Sequence, residues 1–291
     1  MIVTVTLNAA LAVSYEATEL TLGESGEPGK PGEPGELTRA TYRASGRGVA
    51  AARVLQKFGH DVLATGLAGG TAGELIAGDL ARDGITTDFT RIGRESRRIF
   101  EITERGTGRV LRLREAGPYV TTEELGRFAA DYRRLLDGAT AVVLSGSLPP
   151  GLPSDIYGSL VSYAVSAEVP VIVDADGVEA AHGARRAPDL VITGAETPLG
   201  PGPGAVVTIG DDTLRIVTKD GGWNAEQAGH AGDRGALVAG LVPGLLLGWS
   251  WPDRVRHAVA LAASTGPFGD VDLGRYEELL SDDVIHVADA S

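Results

Sequence analysis

The sequence predicts an α/β fold with a mainly parallel sheet covered by helices on both faces, and three observations carry that prediction. Short continuous apolar runs of strand length recur along the 291 residues. Stretches with helical apolar spacing separate most of them. The length suits one large layered domain or two small ones, with ample core.

Residues 2–7 open the chain as a strand, and they lack the basic flank and long apolar run of a secretory signal. Residues 11–20 and 37–44 alternate polar and apolar side chains, as strands with one solvated face do. A helix over 49–58 follows the glycine-rich entry Ser45-Gly46-Arg47-Gly48, then a buried strand over 62–67 and a helix over 72–82. Residues 98–104 and 109–115 alternate again. Helices at 122–136 and 154–167 are interleaved with buried strands at 141–144 and 169–173. Strands at 190–192 and 205–209 and helices at 236–247 and 254–263 complete the pattern. The alternating segments are expected to form a small accessory sheet, a lid made by about residues 11–44 and 96–116. Within it, GEPGKPGEPG reads as an extended mobile loop. Pro31, following Gly29-Lys30, rules out a phosphate-binding P-loop there.

A formal charge of −13 and a pI near 4.8 exclude nucleic acid and anionic membrane as partners, while leaving room for a small anion in a local basic cleft. No cysteine is present, which removes thiolate catalysis and disulfides and fits a cytoplasmic protein. His60, His182, His230, His257 and His286 are scattered without metal-ligand spacing and read as structural. The apolar stretch 235–251 is broken by Gly240, Pro243, Gly244 and Gly248, so a buried helix is expected there and no membrane span.

Three glycine-rich segments could carry chemistry. AGHAGDRGALVAGL, residues 228–241, puts Asp233 and Arg234 in front of an apolar helix, where free N–H groups and the helix dipole favour an anion. Asp233 there is either a helix N-cap or a carboxylate placed to take a proton from an attacking hydroxyl. GRGVAA fits a dinucleotide pattern, but the strand before it alternates, so that reading is set aside. SGSLPPG, residues 145–151, ends a buried strand without the elbow of a serine hydrolase. Arg97, within Arg94-Glu95-Ser96-Arg97-Arg98, offers a guanidinium to a phosphate, and Thr208 and Gly210 end a strand with room for a nucleotide.

Read in order, TVTLNAALAVSY, SGRGVAAARVLQKFG, ATGLAGGTAG, GRESRR, EAGP, VVLSGSLPPGLPSDIY and VIVDADG resemble the motifs of the ribokinase/PfkB carbohydrate kinases. Within that family they are similar to the hexose-phosphate branch of 1-phosphofructokinase and tagatose-6-phosphate kinase. The resemblance implies a single ribokinase-like three-layer α/β/α sandwich over residues 1–291 with a β lid. It implies ATP and Mg²⁺, phosphoryl transfer to a sugar hydroxyl, and a sugar phosphate or other anion as the small-molecule partner. It places substrate at Ser45, Gly46, Arg47, Gly48 and Arg97, the nucleotide or its phosphates at Thr208, Gly210, Ala231, Gly232 and Arg234, and metal at Glu196. The accessory sheet's edge is suited to pairing in a homodimer.

The departures fall on the residues that do chemistry. Ala12 stands where the family keeps a sugar-binding aspartate, and Ala9 replaces the proline of the same opening motif. Arg47 and Ala50 replace the lysine and asparagine of GGKGxN, and Thr193-Gly194-Ala195-Glu196-Thr197 replaces PNxxE. Aligned back from the helix without a gap, Gly235 occupies the position of the family's catalytic aspartate. With two extra residues allowed, Asp233 does. The expected protein is a kinase by ancestry with weak or lost phosphoryl transfer, the alternative being a non-catalytic binding or regulatory protein that uses the same cleft.

Overall fold

A computed structural model describes residues 1–18, 37–194, 197–211, 213–226, 233–281 and 285–290. The loop GEPGKPGEPG, Glu196, Ala231, Gly232 and His230 lie outside the described residues. The chain begins with β1 (Ile2–Thr6), β2 (Ala10–Ala17) and β3 (Leu37–Ser45), then α1 (Arg47–Lys57), β4 (Val62–Gly69), α2 (Gly70–Arg82) and β5 (Thr86–Ile92). β6 (Arg97–Glu104) and β7 (Val110–Arg114) form a hairpin, followed by α3 (Thr122–Leu136), β8 (Ala141–Ser145), α4 (Ile156–Ser166), β9 (Val171–Asp174) and α5 (Gly177–Ala184). The last third holds β10 (Leu190–Gly194), β11 (Ala205–Ile209), β12 (Thr213–Thr218), β13 (Gly222–Glu226), α6 (Arg234–Leu247), α7 (Trp251–Ser264), α8 (Leu273–Ser281) and β14 (Val287–Asp289).

The main sheet runs β14-β13-β12-β11-β10-β9-β8-β1-β4-β5. From β5 to β11 all neighbours are parallel, and the last three strands add antiparallel. Successive residues of each central strand feed opposite faces. Ile2, Ala64, Val143, Ile172 and Ile192 pack with α1, α2, α6 and α7 on one side, while Val3, Val5, Val142, Leu144 and Val173 pack with α3, α4 and α5 on the other. This is the three-layer α/β/α sandwich the sequence predicts. The two alternating pairs join a second sheet of order β3-β2-β6-β7. No helix among the described residues is long and apolar enough to cross a membrane.

Six elements were not expected from the sequence, for two physical reasons. β5, β12, β13 and β14 lie at or near the sheet's edges and carry solvated side chains, so they lack the continuous apolar run of a central strand. α5 and α8 have only 8 and 9 residues, too few for a helical period to stand out. α7 also begins three residues earlier than predicted, because Ser250 caps it through Asp253 N–H and Pro252 sits in its first turn.

Candidate functional site

The parallel strands β1, β8, β9 and β10 end at one edge, and the N-termini of α1, α5 and α6 gather there. A cleft of about 450 Å³ opens between this edge and the four-stranded sheet. It is lined among others by Asn8, Ser45, Arg47, Ala50, Arg97, Arg114, Ser147, Asp233, Arg234 and Gly235. The structure thus brings the β3–α1 junction, Arg97 and the start of α6 together around one space. Thr208 and Gly210 do not line it. Thr208 pairs with Arg215 in the β11–β12 hairpin, and Gly210 donates its N–H to the Thr213 carbonyl at 2.8 Å to close the turn.

At the β3–α1 junction, Gly46 caps α1 with φ +136°, in the range that favours glycine, and no side chain caps the helix. A Cβ on Gly48 would meet Thr6 Oγ1 at 2.4 Å, so glycine lets the start of α1 rest on β1.

α6 begins differently. Asp233 is its N-cap, accepting the Ala236 N–H at 2.9 Å. Burial raises the Asp233 carboxyl above its usual range, and the nearby Asp174 adds to the rise, while the N–H groups of Ala236 and Gly235 pull the other way. Gly235 is buried against α1. A Cβ there would lie 2.5 Å from the Arg47 carbonyl oxygen and 2.7 Å from Ala50 Cβ, so no side chain fits.

Arg234 turns inward across the strand ends. Its Nε donates to Asp174 Oδ1 at 2.6 Å, one terminal nitrogen to both oxygens of Asp176 at 2.9 and 3.1 Å, and the other to the Ile192 carbonyl at 3.2 Å. Arg47 reaches the same carboxylates, at 3.1 Å from Asp174 and 3.3 Å from Asp176. Asp174 is wholly buried and also accepts the Ser145 hydroxyl. Asp176 is half exposed. Its burial alone would raise its pKa, but Arg234, the Gly194 N–H and Arg47 together hold it below the usual carboxylate range. Two guanidinium groups and two carboxylates therefore form a closed, internally neutral quartet.

On the opposite wall, Arg97 and Ser45 both pair with Ala10, so the row Ser45, Ala10, Arg97 crosses three strands. The next row, Arg43, Ala12, Ile99, Arg114, points the same way, since residues two apart share a face. Among the described residues, Arg97 donates only to the Asn8 carbonyl oxygen, at 3.2 Å. Its pKa is lowered by burial and then by the charge of Arg114. Asn8 is buried and donates from Nδ2 to Ser147 Oγ at 3.3 Å.

Sequence reasoning missed Asn8, Arg114 and the pairing of Asp174 and Asp176 with the arginines. The two aspartates had a readable signal, since DAD ends an apolar run at the carboxyl end of a parallel strand, where α/β sheets bind ligands. Arg114 had none, because an arginine in an alternating strand reads equally as a solvated face.

Residues 12–196 match the model of the pfkB family carbohydrate kinases. Among solved structures, a Thermotoga maritima protein described as a possible 1-phosphofructokinase superposes with TM-score 0.83 and 22% identity, over 100% of this chain and 99% of that one. Phosphofructokinase-2 from Escherichia coli superposes with TM-score 0.83 and 18% identity, over 97% and 98%. A carbohydrate kinase from Agrobacterium tumefaciens gives TM-score 0.76 and 17% identity, over 99% of each chain. The fold is the ribokinase-like one that the sequence resemblance implied.

Proposed function

We propose, from the premise that this chain belongs to the pfkB family of carbohydrate kinases, that it is a hexose-phosphate kinase homologue whose cleft binds a small phosphorylated sugar and whose phosphoryl transfer is slow or lost. The substrate class rests on the motifs that resemble the hexose-phosphate branch, and on the likeness to Escherichia coli phosphofructokinase-2, a protein solved in complex with fructose-6-phosphate.

One observation carries the loss of transfer: Arg234 lies in hydrogen bond with Asp174 and Asp176 across the strand ends, beside an α6 whose first N–H groups are taken by Asp233. A phosphoryl group entering there would meet a carboxylate at the helix start where a kinase needs open donors. Position 235, the ungapped place of the family's base, admits a side chain only if α1 shifts.

The family implies ATP and Mg²⁺, which would supply the transferable phosphoryl group and neutralise its charge. The residues at this end do not fit the metal. Asp174 and Asp176, the carboxylates at hand for a metal, are already neutralised by Arg47 and Arg234. Among the described residues, no group of three or more acidic or histidine side chains could hold a metal ion. Glu196, the family's expected metal contact, lies outside them.

A second reading keeps Asp233 as a general base, favoured by its place on the cleft wall and its raised pKa. The two separate on one assay, in which purified protein is incubated with Mg·ATP and a panel of ketohexose phosphates while ADP is followed. The expected turnover is far below about one per second, the low end for kinases, and unchanged in Asp233→Asn. Turnover above that rate that disappears in Asp233→Asn would establish the second reading. Calorimetry with ATP and with sugar phosphates separately is expected to show heat for the sugar phosphate alone.

A further inference from the structure

We propose that Arg234 is a tethered cation standing in the place of a metal ion. Its guanidinium fills an all-oxygen cage at the ends of β9 and β10, so this end of the cleft needs no divalent cation and excludes one. Which cation stands at the strand ends is a separate matter from which anion the cleft takes, and it can be read with neither nucleotide nor sugar present.

Five oxygens surround that guanidinium. They are Oδ1 of Asp174 at 2.6 Å, both carboxylate oxygens of Asp176 at 2.9 and 3.1 Å, and the carbonyl oxygens of Ile192 and Ala175 at 3.2 and 3.4 Å. Carboxylates and backbone carbonyls together are the donor set of a hard cation such as Mg²⁺ or Ca²⁺, with water completing its shell. The walls of the cage are held by bonds that do not involve Arg234. Ala175 donates its N–H to the Ile192 carbonyl at 3.2 Å, and Gly194 donates its own to Asp176 Oδ1 at 2.9 Å. Removing the guanidinium therefore leaves the oxygens in place.

Charge decides the occupant. Asp174 and Asp176 are answered by Arg47 and Arg234, one positive charge each. Without Arg234 one negative charge is left over beside a wholly buried carboxylate, which is costly until a cation arrives. Arginine keeps its charge at every accessible pH. It is also joined to the first turn of α6, whose cap Asp233 is fixed by the Ala236 N–H, so its effective concentration at the cage does not depend on the solution. A dissolved ion would have to displace it.

The test is a titration of the full chain with Mn²⁺ alone, followed by the loss of the free-ion resonance, together with melting curves in Mg²⁺ and in chelator. Unmodified protein is expected to melt at the same temperature in both. Arg234→Ala is expected to melt lower in chelator, to regain part of the loss in Mg²⁺ by linkage, and to bind Mn²⁺ roughly tenfold or more tighter than unmodified protein. Adding Asp176→Asn is expected to abolish that gain, and Arg234→Lys, which keeps a tethered charge, is expected to exclude Mn²⁺ as unmodified protein does. If Arg234→Ala does not fold, Arg234→Gln, which keeps hydrogen-bond donors without the charge, carries the same comparison. Equal Mn²⁺ affinity with and without Arg234 would overturn the substitution, as would a gain that survives Asp176→Asn. Tight binding by unmodified protein that Asp176→Asn destroys would overturn it too. None of these outcomes moves the rate of ADP release from Mg·ATP and sugar phosphate, so slow phosphoryl transfer and the tethered cation can fail separately.

Discussion

At the scale of single residues, the start of α6 turns on neighbours that a motif match does not show. Gly235→Ala is expected to destabilise the protein by about 1–3 kcal/mol, the cost of forcing atoms into a packed contact, because its Cβ would press on the Arg47 carbonyl and Ala50. Urea unfolding measures this, and an unaffected midpoint would mean that α1 yields freely. Arg234→Ala strips a wholly buried carboxylate of one of its two guanidinium partners, at an expected cost of about 3 kcal/mol, since Asp174 keeps Arg47 and Ser145. Adding Asp174→Asn to Arg234→Ala is expected to recover part of that loss, a coupling readable from a double-mutant cycle. The sequence placed Arg234 beside a phosphate site but could not name its partners, because Asp174 and Asp176 are about sixty residues away in the chain and meet it only through the parallel order of β8, β9 and β10.

At the scale of elements, legibility followed burial. The central strands β1, β4, β8, β9, β10 and β11 announce themselves by continuous apolar runs, because both faces are covered. β12 alternates as Thr213, Leu214, Arg215, Ile216, but with six residues between two glycine-bearing turns it is easily read as loop. α3 shows the opposite case, a helix fixed locally. Thr121 accepts the Glu124 N–H while the Glu124 carboxylate accepts the Thr121 N–H at 2.8 Å, and it also takes the Gly93 N–H at 2.7 Å. Thr121→Ala is expected to cost about 1 kcal/mol, checked by thermal unfolding. The packing of α7 on α8 adds a pH dependence. His257 is enclosed by Phe58, Trp249 and Tyr276, and burial, then His60, lowers its pKa to about 4. The unfolded ring takes a proton near pH 6.5, about the ordinary histidine value, whereas the folded ring refuses it until about pH 4. Between those values the unfolded state binds more protons, so the His257 contribution to stability is present above pH 6.5 and is lost as the pH falls toward 4. Denaturation at pH 7 and pH 5 is expected to show a smaller drop in His257→Gln than in unmodified protein, and equal drops would remove His257 as the cause.

At the scale of the whole molecule, the outer face of the four-stranded sheet has no cover among the described residues over part of its width. Tyr42 and Leu113 share one outward row with Val13 and Phe100, and both are about half exposed. We propose that two copies pair through this sheet, which is the homodimer its edges suit. Light scattering on unmodified protein is expected to give twice the chain mass of 30.0 kDa, and Tyr42→Asp with Leu113→Asp is expected to give one. The layered architecture was legible because strand and helix periods alternate over the whole chain. The electrostatics of its cleft were not, because a charge of −13 spread over the surface says nothing about how Arg47 and Arg234 are matched to Asp174 and Asp176 within it. The mutual embedding of α1 and α6 also has a historical consequence. On the proposed register, which puts Gly235 where the family keeps its base, an acidic side chain cannot return to that position while the Arg47 carbonyl and Ala50 stand where they do. Any route back to an ancestral arrangement must first move α1, a change with no benefit until the second one follows, so the contact between the two helices acts as a ratchet on the order in which this chain can change.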